Sequence, residues 1–123
     1  AIDILNRALA IRKEELGQDH WKTALTLMSI ASVLRGQEEY EEAMKKYQQV
    51  MPIVEWEYGS DGVEMAGVLF NIAGTLKNQG KCMDAMEKYN LSLAITEKVL
   101  GMNHAETIRI RNSIEILKRE MQT

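Results

Sequence analysis

Three cations recur at one position of a repeating pattern: Arg35, Lys77 and Arg119, each 42 residues from the next (77 − 35 = 119 − 77 = 42). Guanidinium and ammonium groups set out in this way can hold carboxylates through charge-assisted hydrogen bonds. Arg109 adds a fourth cation in the same stretch as Arg119. This is the chemistry of recognition, not of bond making. The sequence has no Gly-rich phosphate loop, no paired-cysteine pattern and no nucleophile with a nearby base. His20 and His104 sit in equivalent loops 84 residues apart (104 − 20 = 84) and read as residues flanking helix starts rather than shared metal ligands. Cys82 falls on the packing position of Tyr40 and reads as an inert, buried thiol. The acidic run Glu38-Glu39-x-Glu41-Glu42 offsets a helix dipole on a solvated face. No catalytic residue, metal or cofactor is expected.

The elements that carry the cations repeat with the same step. Ala24, Leu27, Ile30, Ala31, Leu34, Ala43, Met44 and Tyr47 fall on Ala66, Leu69, Ile72, Ala73, Leu76, Ala85, Met86 and Tyr89. Ile53 and Gly59 fall on Ile95 and Gly101 in the same way. A period of about 20–50 residues marks stacked supersecondary units that share a core. Leu27, Ile30, Ala31 and Leu34 follow i, i+3, i+4, i+7, one face of a helix over 22–36. Arg35-Gly36-Gln37 breaks that pattern, and it restarts over 39–57. After the loop Gly59-Ser60-Asp61-Gly62 the cycle runs again: helix 63–78, turn at Asn78-Gln79-Gly80, helix 82–99. Residues 1–16 align with the second helix of a pair, and 105–121 with the first helix of the next. Six helices with short connections follow, an all-α chain.

Leu27-x2-Ile30-Ala31-x2-Leu34 followed by Ala43-x3-Tyr47 resembles the tetratricopeptide repeat, and Leu69, Ile72, Ala73, Leu76, Ala85 and Tyr89 restate it. The 42-residue step exceeds the usual ~34. Together with Ala10-Ile11-Arg12-Lys13-x2-Leu16-Gly17-x-Asp19-His20 and Ala94-Ile95-Thr96-Glu97-Lys98-x-Leu100-Gly101, it is similar to the kinesin light chain type of repeat. The resemblance implies a right-handed α-solenoid of antiparallel helix pairs in a single domain: 1–19 the second helix of a truncated repeat, 20–61 and 62–103 full repeats, 104–123 a capping helix. The chain departs from the family at Trp21 and Ala105, which replace a loop proline. It departs again at Pro52, where a kink or local break is expected because proline removes a helix donor. Arg111, Glu115 and Lys118 stand where earlier repeats carry Leu69, Ala73 and Leu76, which makes the outer face of the last helix polar, as a cap requires.

The resemblance also implies that the first helix of each pair lines a concave surface. On that face Leu25, Met28, Ser29, Ser32 and Arg35 align with Gly67, Phe70, Asn71, Gly74 and Lys77, and again with Arg109, Asn112, Ser113, Ile116 and Arg119. The expected groove is formed by Met28, Ser32, Arg35, Phe70, Asn71, Lys77, Arg109, Asn112 and Arg119. It suits a protein or peptide segment with an acidic residue near a hydrophobic anchor. Met28 and Ser32 replace the Lys and Asn of the family's carboxylate clamp, so that clamp is not carried over. Gly67 and Gly74 either leave room for a ligand side chain or allow close helix packing. Trp56, whose equivalents are Glu14 and Lys98, is either a convex contact anchor or a ring lying over its own kinked helix.

The 123 residues carry a net charge of −3, which gives no bulk drive toward nucleic acid or anionic lipid. No apolar run reaches the ~20 residues of a membrane span. A lone cysteine favours a reducing compartment, hence the cytoplasm. The start at Ala1-Ile2-Asp3 reads as that of a fragment whose exposed N-terminal edge invites self-association. The expected function is a non-catalytic adaptor that holds a partner in the groove. The alternative is a structural spacer in a longer scaffold, with contacts through its ends and convex face.

Overall fold

A computed structural model of the chain describes residues 2–16 and 21–122, with side chains for 2–10 and 22–122. Among the described residues there are six α-helices and no strand: α1 (Ile2–Leu16), α2 (Trp21–Gly36), α3 (Tyr40–Tyr58), α4 (Val63–Asn78), α5 (Cys82–Leu100) and α6 (Ala105–Met121). The spans read from apolar periodicity agree with these to within one residue at each end. His20 and the side chain of Trp21 lie outside the described residues.

The helices form two compact units that divide after Gly59. In the first, α2 packs against both α1 and α3. Leu27, Ile30, Ala31 and Leu34 of α2 and Ala43, Tyr47, Val50, Ile53 and Val54 of α3 are buried. In the second unit, α5 packs against both α4 and α6. Leu69, Ile72, Ala73 and Leu76 of α4, Ala85 and Tyr89 of α5, and Ile110, Ile114 and Leu117 of α6 are buried. Ala43 and Ala85 have no exposed surface, as small residues at a close helix approach should. Ser92 ties the second unit together: its buried Oγ donates to the Ala66 carbonyl across the α4–α5 interface at 2.8 Å.

Both pairs turn the chain by the same hydrogen bonds. The amides of Glu39 and Lys81 donate to the carbonyls of Leu34 and Leu76 at 2.8 and 2.9 Å. The residue before each amide takes a left-handed conformation, with φ of 65° at Glu38 and 80° at Gly80, as this way of closing a helix end requires. The first helix thus continues through Gly36, and it is Glu38, not Gly36, that makes the bend.

The break expected at Pro52 does not occur, and α3 runs continuously from Tyr40 to Tyr58. Pro52 is exposed, while Val50, Ile53 and Val54 around it are buried. Their packing holds the helix across the missing donor. At the other end of the chain, Glu115 and Lys118 of α6 are exposed and paired at 3.5 Å, so that face is polar as expected.

Candidate functional site

The second unit gathers a small cleft from three helices. Val63, Ala66, Gly67 and Phe70 of α4, Thr96 and Leu100 of α5, and Glu106, Arg109 and Ile110 of α6 line about 50 Å³ of open space. Small-molecule sites occupy about 300–1,000 Å³. This one is the size for a single side chain.

Its geometry follows from helical spacing. Gly67 and Phe70 are three residues apart, so they share one face of α4. A Cβ placed on Gly67 would meet nothing within 4 Å, which makes the glycine an opening rather than a tight crossing. Gly74, by contrast, is buried. The two glycines therefore part company, and only Gly67 leaves room. Phe70 is half-buried and meets Tyr89 edge-on at 5.6 Å between ring centroids. The Arg109 guanidinium lies over the Phe70 ring, 4.7 Å from its centroid. Glu106 accepts a hydrogen bond from Arg109 Nη2 at 2.7 Å and so helps hold the guanidinium there. His104 starts α6, its Nδ1 accepting from the Glu106 amide at 3.1 Å, which fixes the first turn on which Glu106 stands.

Of the groove residues expected from sequence, Phe70 and Arg109 meet in this cleft. Asn71 is half-buried beside them on α4, and its carbonyl accepts from Thr75. Lys77 is paired with Glu120 of α6 at 3.5 Å, so its charge is already answered within the unit. Asn112 and Arg119 are exposed on α6. Met28 and Arg35, both half-buried, and Ser32, exposed, belong to the first unit. Trp56 is 84% exposed, which excludes a ring folded over its own helix. Cys82 is half-buried. Sequence reasoning passed over Glu106, Tyr89 and Leu100. The i, i+3 pairing of Glu106 with Arg109 was available as a signal; the Tyr89 contact requires the packed structure. No group of three metal-ligating side chains occurs among the described residues, and no helix there is long and apolar enough to cross a membrane.

The tetratricopeptide repeat family model matches residues 1–55. The fold is similar to that of tetratricopeptide-like repeats from a Podosopora anserina protein of the kinesin light chain type, with a TM-score of 0.84 over 94% of this chain. The helix pairs share the fold of tetratricopeptide-like repeats. Sequence identity to that structure is 18%, and this chain spans 55% of its length. A glutamine-to-methionine variant of the same Podosopora anserina repeats matches with a TM-score of 0.83, again at 18% identity, 94% of this chain and 55% of that one. No curated protein matches the sequence. Tetratricopeptide repeats generally mediate protein–protein contacts or scaffolding, and the cleft lies on the helix faces that carry the aligned groove positions.

Proposed function

We propose that this chain is a non-catalytic protein-interaction module of the cytoplasm. A partner segment places one apolar side chain in the cleft over Gly67 and Phe70 and an acidic group beside Arg109. The observation that carries this reading is the bare Gly67 position, with nothing within 4 Å of a built Cβ, next to an arginine stacked on an aromatic ring. A glycine in a helix interior costs about 1 kcal/mol relative to alanine, so an unfilled one is consistent with a position kept open for a ligand. Stacking on Phe70 orients the guanidinium before a carboxylate arrives, which lowers the ordering cost of binding. Asn71, Asn112 and Arg119 extend the proposed recognition surface within the second unit, and Met28, Ser32 and Arg35 are proposed as partner contacts of the first unit taken by itself. Lys77 and Arg109 are already paired with Glu120 and Glu106, so an acidic group of the partner competes with an internal carboxylate at either cation.

The test is affinity capture from lysate, with mass spectrometry, comparing the unaltered chain with Phe70→Ala and Arg109→Gln. Peptides from the captured protein are then titrated directly. Loss of the same partner with both variants, at unchanged helical content, supports the module. Retention of that partner by both favours the spacer, with contacts elsewhere on the chain.

A further inference from the structure

The end of α3 carries a second surface that the cleft does not use. Trp56 is 84% exposed, the most exposed large apolar side chain among the described residues. Pro52, one turn earlier, is also exposed and extends the apolar strip along the helix. Glu55 and Glu57 lie about 100° to either side of Trp56 around the axis, and both are exposed. Neither makes an ion pair among the described residues.

Their position is electrostatically unusual. The C-terminal end of a helix is the negative pole of its dipole, where cations are favoured and carboxylates are not. Arg35, Lys77, Lys98, and Lys118 with Arg119 occupy the last turns of α2, α4, α5 and α6, whereas the last turn of α3 has no basic residue. The contrast with α5 is sharpest. Lys98 stands there at the repeat position of Trp56 (98 − 56 = 42). The exchange removes a cation and adds an indole, the best aromatic face for receiving one.

We propose that this strip docks a basic segment of a partner protein. A lysine or arginine of the partner stacks on Trp56, while Glu55 and Glu57 take its neighbouring cations. Charge complementarity selects the occupant: two unanswered carboxylates and a helix C-terminus surround one large aromatic face. An acidic partner, such as the one proposed for the cleft, is repelled here. The two surfaces would therefore sort partner segments by the sign of their charge.

The probe is a short fluorescein-labelled peptide of alternating arginine and leucine, titrated by anisotropy at low ionic strength. Trp56→Ala and the double variant Glu55→Gln, Glu57→Gln are expected to weaken binding by about tenfold or more. Glu41→Gln with Glu42→Gln removes the same charge from the start of α3 and is expected to leave the affinity unchanged. All three sets of positions are exposed, and unchanged far-UV circular dichroism confirms their folds. Equal weakening by the Glu41, Glu42 control would mean attraction to the overall acidic chain and would overturn the proposal. Binding indifferent to Trp56→Ala, or no binding by the unaltered chain, would overturn it as well.

Discussion

The α2–α3 pair and the α4–α5 pair are two versions of one unit, and they differ chiefly on the face turned away from the core. Ala24, Leu27, Ile30, Ala31, Leu34, Ala43 and Tyr47 are buried in the first pair and their equivalents 42 residues on are buried in the second, and the turns use the same hydrogen bonds. Inside the pairs one exchange stands out. Val50 is buried in the first, while Ser92 is buried in the second and donates to Ala66. A methyl pair packs one helix crossing and a hydroxyl bonds the other. On the opposite face the exchanges are larger. Leu25, which is 56% exposed, and Met28 in α2 become Gly67 and Phe70 in α4. The first pair covers that face with side chains; the second leaves it open beside an aromatic ring. The core pattern sets the helix pair, and the outer face is free to become specific.

Exchanges between the pairs break this comparison in graded ways. Tyr47 has no exposed surface, so Tyr47→Ala should cost about 3–5 kcal/mol as a large buried truncation, read from denaturant unfolding. Ser92→Ala removes the donor that Val50 never supplied and should cost about 1–2 kcal/mol, seen in the same experiment. Glu38 holds a left-handed conformation that its counterpart Gly80 adopts freely. Glu38→Gly should therefore raise stability by about 1 kcal/mol, and Gly80→Glu should lower it by a similar amount. The smallest effect concerns the Tyr47 hydroxyl, which is buried without a hydrogen-bond partner among the described residues. Tyr47→Phe should leave the melting temperature unchanged or raise it slightly, since no bond is lost and a desolvated polar atom is removed. A large loss there would reveal a partner for the hydroxyl.

Much of this was legible in the sequence because helical periodicity reports directly on burial. Leu27, Ile30, Ala31 and Leu34, with their equivalents 42 residues on, were assigned to the core from spacing alone, and all are buried. Spacing also put Phe70 and Arg109 on corresponding helix faces. It could not reveal that Arg109 stacks on Phe70, or that Glu120 answers Lys77, because those contacts join helices far apart in the chain. A row of aligned cations looks uniform in sequence, yet each charge meets a different neighbour once folded. The glycines teach the same lesson: Gly67 and Gly74 share a stripe, but one opens to space and the other is buried. At Pro52 local propensity argues for a kink or a local break; the break does not occur, because the buried residues around it hold α3 together.

The most direct measurement places the first pair's residue in the second pair's opening. Gly67→Leu puts the side chain of Leu25 into the cleft while replacing a poor helix former. The account predicts that the chain is stabilised by about 0.5–1 kcal/mol and that it no longer captures the partner lost on Phe70→Ala. A chain that gains this stability and still binds that partner with unchanged affinity would contradict the cleft as the site of recognition.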